Sequence, residues 1–152
     1  MPFCWPKRPH MADTFNHKKR SWIMSRIKGR DTKPEKIVQK ILTDMGHHIR
    51  RYDKSLPGNP DIILKDKRKI IFVHGCFWHG HKRCRRSHRP STNRTFWNKK
   101  IDGNIKRDEK VRRKLKKLGW DILVVWECQL KDNAHLKDSI NKFIDRRTRR
   151  NI

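Results

Sequence analysis

Acidic residues are scarce in this chain of 152 residues, where 15 Asp and Glu stand against 41 Lys and Arg and leave a formal net charge of +26. So large an excess of one sign repels itself unless a polyanion neutralises it, and the charge therefore predicts DNA or RNA as the partner. Long apolar runs and lipidation motifs are absent, which argues against a membrane surface as the anionic partner. The first residues do not resemble a signal peptide, so we expect a cytoplasmic protein.

Hydrophobic residues are also few, at 34% of the chain, and together with the length this predicts one domain with a compact core. Residues 1–10 contain three prolines and no apolar pattern, so we expect them to form a disordered extension. The domain itself is predicted to cover residues 11–132. Residues 133–152 are predicted to form a basic C-terminal helix and tail.

The apolar pattern predicts helices and strands in alternation. A thin apolar stripe indicates a helix within residues 14–30. A second helix should begin at Thr32, whose side chain would form a capping box with Glu35, and should end at Gly46. A third, long helix is predicted at 96–118, with Leu118 among its inward residues.

Three short apolar segments are typical of strands, at residues 61–64, 70–73 and 122–126, and residues 65–69 form a charged reversal between the first two. The order of elements is helix, two strands, helix, strand and a last helix. It predicts an α/β domain with a small mixed sheet flanked by helices.

The most informative segment is residues 74–84, HGCFWHGHKRC, which has three histidines, two cysteines and two aromatic residues. Cysteines stay reduced in the cytoplasm and are then better read as metal ligands, and a structural zinc takes four Cys or His ligands. The preferred ligand set is Cys76, His81, Cys84 and Cys128. His74 or His79 in place of His81, and Cys4 in place of Cys128, remain open. The competing interpretation is unligated cysteines within a solvated histidine tract.

An acidic residue lies at the start of a predicted strand, where Asp61 follows Pro60. A carboxylate at a strand end can bind Mg²⁺, and His74 and His79 can transfer protons near neutral pH. Asp61 also suits a simple turn, because Asp after Pro is common there. Glu35 is equally well explained as a capping residue.

Aromatic residues lie among these polar groups. Phe77 and Trp78 are adjacent in the loop, and Trp97 follows a polar stretch. Aromatic side chains among cations can stack on bases or wedge between base pairs, although Trp78 or Trp97 could also simply cover the core.

Several segments together resemble the very-short-patch repair (Vsr) DNA mismatch endonucleases over about residues 11–130. The matching residues are Arg20, Ser21, Met24, Ile27, Asp31, Thr32, Glu35, Leu56, Pro57, Gly58, Pro60, Asp61, the block 74–79, and Trp120 with 125–128. The resemblance implies a restriction-endonuclease-like fold, a structural zinc, and Mg²⁺-dependent nicking of duplex DNA beside T:G mismatches that arise when 5-methylcytosine deaminates. It also implies a monomer that is functionally linked to a cytosine-5 DNA methyltransferase, and to mismatch-repair proteins.

The resemblance assigns roles to individual residues. Asp61 is similar to the principal Mg²⁺ ligand, beside the backbone carbonyl of Val73. His74 resembles the histidine near the metal-bound waters, and His79 the general acid/base that Asp108 orients. The remaining assignments are Glu35 as a supporting acid, Cys76, His81, Cys84 and Cys128 as zinc ligands, Phe77, Trp78 and Trp97 as a wedge into DNA, Met24 as a contact from the other groove, and Lys100 and Asn104 as readers of the T:G pair.

Two other functions compete with this interpretation. A non-catalytic zinc module that binds nucleic acid would use Asp61 and Glu35 only as a turn former and a cap, and would not nick DNA when Mg²⁺ is added. A nuclease built around a ββα metal finger would stay active when Asp61 is replaced.

Overall fold

The computed structural model describes residues 16–27 and 29–147. Predictions that fall on residues 1–10, on Cys4 and on the last arginines lie outside the described residues. In chain order the elements are α1 (His17–Arg26), α2 (Lys33–Asp44), β1 (Ile62–Leu64), β2 (Lys69–His74), α3 (Arg94–Lys117), β3 (Asp121–Trp126) and α4 (Asn133–Asp145), with short 3-10 turns at Arg85–Ser87 and Glu127–Lys131. From α2 onward this is the predicted order of helices and strands, and α1 lies within the segment 14–30 whose apolar stripe indicates a helix.

The sheet is mixed, as predicted. β1 and β2 pair in antiparallel fashion, with Ile62 opposite Ile71, whereas β2 and β3 run parallel and end together at His74 opposite Trp126. The strand order is β1-β2-β3, so β2 is the central strand. Because β2 and β3 run parallel, the segments that follow these two strands leave the sheet at the same edge.

Helices cover both faces of the sheet, because successive side chains along a strand point to opposite faces. On one face, Ile71 packs in a cluster with α2 and α4 that includes Leu42 and Ile140. On the other face, Ile70 packs in a cluster with Leu115 of α3. The result is a three-layer α/β/α domain. Within the part of the chain that is described, no helix is both long and apolar enough to cross a membrane.

The predicted boundaries of α2 are confirmed. Thr32 is the N-cap, and its side chain accepts a hydrogen bond from the backbone N–H of Glu35. The helix ends before Gly46, whose φ of +82° lies in the left-handed region that glycine adopts without steric cost.

Lys69 departs from the prediction of a charged reversal, because it belongs to β2 and its side chain is buried. Its ammonium group lies 3.2 Å from a carboxylate oxygen of Asp121 and donates to the backbone carbonyl of Arg146 at 2.8 Å. It also lies 4.7 Å from the ring centroid of Phe143. A buried charge needs partners of this kind, since an unpaired one would be strongly destabilising. Lys69 thus joins the sheet to the end of α4.

Leu118 was predicted to point inward and does not: it is 51% exposed. The predicted helix extends one residue too far, because α3 ends at Lys117 and the chain turns away at Gly119, where φ is +83°.

Leu115 and Leu118 form a matched pair for a stability test. Leu115→Ala should lower the free energy of unfolding by about 2–5 kcal/mol, because it opens a cavity at a fully buried position. Leu118→Ala should change it by less than about 0.5 kcal/mol, as is usual for surface positions. Urea denaturation measures both values, and equal losses would contradict the packing described for α3.

Candidate active site and metal centre

The parallel pairing of β2 and β3 creates the site. Both strands end at the same edge, at His74 and Trp126. The Cys/His loop, residues 75–84, leaves from β2, and the 3-10 turn Glu127–Lys131 leaves from β3. α3 lies under the loop, where a methyl group on Gly80 would come within 2.6 Å of the Ile105 side chain. The close approach, together with a φ of +59°, favours glycine at this position.

Four potential zinc ligands meet at this edge. The group consists of Cys76, His81, Cys84 and Cys128, whose ligand atoms all lie within 4.8 Å of one another. The Sγ of Cys128 lies 3.5 Å from Nδ1 of His81. Tetrahedral zinc with bonds of about 2.3 Å to sulfur would place sulfur ligands about 3.8 Å apart, so the residues fit this ion. The alternatives His74 and His79 lie in a different group, with Asp108.

The protonation of the four-residue group depends on whether a cation is bound. Burial is the main reason that the pKa of Cys76 is raised, to about 12, so without a cation this thiol keeps its proton. A bound metal ion reverses that preference and stabilises the thiolate. The loop is also held firmly: the His81 ring stacks on Trp126 with 4.1 Å between centroids, and the Ser87 hydroxyl lies 2.6 Å from the carbonyl oxygen of His81.

A second group joins two histidines and a carboxylate. The rings of His74 and His79 stack with centroids 3.9 Å apart, and Nδ1 of His79 lies 2.6 Å from a carboxylate oxygen of Asp108 on α3. Burial, and then the nearby charge of His79, lower the pKa of His74 to about 3, which keeps this ring neutral. Burial alone would raise the pKa of Asp108, but its hydrogen bond with His79 and the charge of that ring bring the pKa below its usual value. An imidazole oriented by a carboxylate is suited to general acid/base chemistry.

Asp61 lies at the entrance to β1, and one of its carboxylate oxygens accepts a 2.8 Å hydrogen bond from the backbone N–H of Val73. Burial raises the pKa of Asp61 to about 6; the Val73 hydrogen bond opposes the rise, the negative charge of Glu35 adds to it, and the positive charges of His79 and Arg30 oppose it. A partly desolvated carboxylate beside a second acid is the kind of oxygen ligand that a hard divalent cation stabilises. The site therefore fits Mg²⁺.

Glu35 is both a helix-capping residue and a buried acid. It is 3% exposed, and its Oε1 accepts from the Thr32 hydroxyl at 3.0 Å. Its Oε2 accepts from the backbone N–H of Asp31 at 3.1 Å and from the hydroxyl of Tyr52. Sequence reasoning missed Tyr52, for which the only signals were that it is the single tyrosine of the chain and that it precedes a Pro-Gly turn.

The aromatic residues form a cluster, with Phe77 between two tryptophans. Its ring centroid lies 5.0 Å from Trp78 and 5.4 Å from Trp97. Phe77 and Trp78 are half-buried and Trp97 is 8% exposed, whereas the neighbouring Phe96, which sequence reasoning did not single out, is 42% exposed. In this structure Trp97 therefore packs against the loop aromatics.

The predicted readers of the T:G pair lie beside this cluster on α3. The Asn104 side chain donates to the backbone carbonyl of Trp78 at 2.9 Å, which ties the helix to the aromatic loop. Lys100 is exposed on α3, and Met24 is half-buried on α1.

Comparison with known proteins gives consistent similarities. The profile of the family described as DNA mismatch endonuclease Vsr matches residues 12–86. The DNA mismatch endonuclease Vsr of Escherichia coli (strain K12) is 43% identical over 128 residues, which are 84% of this chain and 81% of that protein. The Type II nicking enzyme V.NmeAIP of Neisseria meningitidis is 42% identical over 134 residues, 88% of this chain and 95% of the relative. The Type II nicking enzyme V.XorIIP of Xanthomonas oryzae pv. oryzae is 37% identical over 135 residues, 89% of this chain and 98% of the relative.

Proposed function

Because the chain belongs to the Vsr family and is a DNA mismatch endonuclease, we propose that it nicks duplex DNA beside T:G mismatches left by deamination of 5-methylcytosine. The observation that carries this proposal is the meeting of an acid, a histidine pair and an aromatic cluster at one edge of the sheet. We further propose that the three-layer domain has a restriction-endonuclease-like fold, in which that edge is the catalytic one.

Mg²⁺ would be held by the Asp61 carboxylate and the backbone carbonyl of Val73, with Glu35 as a supporting acid. When bound, Mg²⁺ supplies an activated water and neutralises charge on the phosphate. The chain's own contribution is proton transfer: Asp108 engages Nδ1 of His79, so Nε2 is the nitrogen left to give or take a proton. His74, neutral and stacked on that ring, would be the second catalytic histidine and would act near the Mg²⁺ site.

Zinc would be held by the group of Cys76, His81, Cys84 and Cys128, in a structural role. Four protein ligands leave no position open for a substrate, as in other structural zinc sites. The group joins the loop after β2 to the turn after β3, so zinc would hold the aromatic residues and His79 in place on α3.

Recognition of the mismatch would rest on the aromatic cluster, with Lys100 and Asn104 reading the T:G pair and Met24 approaching from the other groove. The high positive charge supplies affinity for phosphates but no sequence information by itself. Wedging a ring beside a wobble pair costs less than beside a matched pair, because the wobble pair stacks less well.

The cellular partner would be a cytosine-5 DNA methyltransferase, since its product is the base whose deamination creates a T:G pair. We propose that the chain acts as a monomer and hands the nicked strand to mismatch-repair proteins.

Asp61→Ala should abolish Mg²⁺-dependent nicking while affinity for a T:G duplex stays nearly unchanged, because it removes a metal ligand and no DNA contact. Nicking of end-labelled duplex, measured with and without Mg²⁺, tests this. The control is Asp66→Ala, which removes an exposed carboxylate from the β1–β2 turn. Nicking by Asp61→Ala within tenfold of wild type, about 1.4 kcal/mol in barrier height, would refute the assignment.

One zinc per chain is expected by elemental analysis of protein purified in metal-depleted buffer. Cys84→Ser should release this zinc and lower the melting temperature. Cys4→Ser is the matched control and should retain the zinc, because the proposed ligand set does not include Cys4. A stable, active wild-type preparation without zinc would show that the structural role is wrong.

Trp78→Ala should weaken binding to a T:G duplex more than binding to the matched T:A duplex, because unstacking costs a few kcal/mol per step and differs between the two. Both dissociation constants are measured at one salt concentration, with Trp120→Phe as a packing control away from the loop. Equal losses on the two duplexes would assign Trp78 to packing and leave discrimination to Lys100 and Asn104.

A further inference from the structure

We propose that Tyr52 is a positioning residue of the nicking reaction, whose hydroxyl fixes the Glu35 carboxylate and whose ring fixes the Arg30 guanidinium. This inference rests on the proposed function, because Glu35 and Arg30 matter through their charges near Asp61. Neither the sequence motifs nor the catalytic histidines involve Tyr52, which lies in the loop between α2 and β1.

The hydrogen bonds of the Tyr52 hydroxyl show which partner accepts its proton. It accepts from the backbone N–H of Asp31 at 2.8 Å. A phenol has one hydrogen to donate, and among residues 16–27 and 29–147 the acceptor in contact with it is Oε2 of Glu35. The hydroxyl therefore links the backbone of the loop before α2 to the carboxylate of Glu35, a residue that is 3% exposed. Thr32 donates to the other oxygen of that carboxylate, so loss of the tyrosine hydroxyl leaves Oε2 with the 3.1 Å bond from the backbone N–H of Asp31 and removes its side-chain donor.

The ring of Tyr52 has a separate contact. The guanidinium carbon of Arg30 lies 5.2 Å from the ring centroid, within the range of a cation–π interaction. In the amide orientation that satisfies its neighbours, Asn59 also accepts from Arg30 and donates to the backbone carbonyl of Tyr52 at 3.3 Å. Arg30 is exposed, and its positive charge is near enough to Asp61 to oppose the rise in the pKa of that carboxyl.

The backbone at Tyr52 is held in an unfavourable conformation. Its φ is +53°, in the left-handed region that a bulky side chain rarely adopts. A hydrogen bond from its backbone N–H to the carbonyl of Pro60, at 3.2 Å, ties it to the residue before Asp61. Such conformations persist where the surrounding structure enforces them, and they cluster at functional sites. The loop thus places the Tyr52 side chain in contact with Glu35 and Arg30, two charged groups near the candidate Mg²⁺ ligand Asp61.

Two substitutions separate the hydroxyl from the ring. Tyr52→Phe removes the hydroxyl and keeps the ring, whereas Tyr52→Leu removes both. Thr43→Val is the control, because it removes an exposed hydroxyl of α2 that donates to backbone carbonyls of its own helix. The measurements are single-turnover nicking of a T:G duplex over a range of Mg²⁺ concentrations, affinity for that duplex, and the melting temperature.

We expect Tyr52→Phe to nick about tenfold more slowly at low Mg²⁺ and to need more Mg²⁺ for half-maximal rate, with duplex affinity unchanged. Tyr52→Leu should lose more and should also bind the duplex more weakly, because Arg30 is no longer held. Nicking by Tyr52→Phe within twofold of wild type would overturn the proposal. A slower nicking rate that is accompanied by a lower melting temperature, with no change in the Mg²⁺ concentration needed for half-maximal rate, would also overturn it.

A measurement without catalysis tests the hydrogen bond itself. As the only tyrosine, Tyr52 gives one resonance in protein labelled with ¹³C at the tyrosine Cζ. Its pKa, raised to about 12 by burial and by the bond to Glu35, should fall in Glu35→Gln. An unchanged titration would show that the two side chains are not coupled. Wild-type protein that titrates as described but does not nick a T:G duplex would instead refute the proposed function.

Discussion

The parallel register of β2 and β3 is the constraint on which the rest of the molecule depends. Because His74 and Trp126 lie opposite each other, two chain segments far apart in sequence leave the sheet together, and the Cys/His loop meets Cys128. Trp126 then contacts both groups, since its ring meets His74 edge-on at 5.4 Å and stacks on His81 at 4.1 Å. A slip of one residue in this pairing would turn the alternate side chains to the opposite face and separate the ligands.

Much of the fold could be predicted from local patterns. The caps at Thr32 and Gly46 and the apolar strands were found because each depends on neighbouring residues alone. Lys69 and Leu118 were misassigned for a different reason, since their burial is decided by partners distant in sequence and by where a helix happens to end. The charge of a lysine does not predict whether its side chain is buried when the counter-charge comes from another strand.

The residues of the candidate site also differ in whether local sequence could predict their roles. The zinc group was accessible to spacing arguments because three of its four ligands lie in one loop. The role of Asp108 came from a family resemblance, as a carboxylate in the middle of a charged helix carries no signal of its own until the fold brings it to His79. Tyr52 had neither kind of signal. Its contacts with Glu35 and Arg30 exist only because an unusual backbone conformation directs the side chain back across the loop.

The buried Lys69 also places a condition on the order in which the protein can assemble during synthesis. Its ammonium group is satisfied by a backbone carbonyl that is 77 residues further along the chain. At about 5–20 residues per second, a ribosome adds those residues in roughly 4–15 s. Until then Lys69 has Asp121 as a partner but lacks the carbonyl of Arg146, so burial of its charge is more costly. The contacts that bury Lys69 are therefore complete only once the chain has been synthesised past the end of α4.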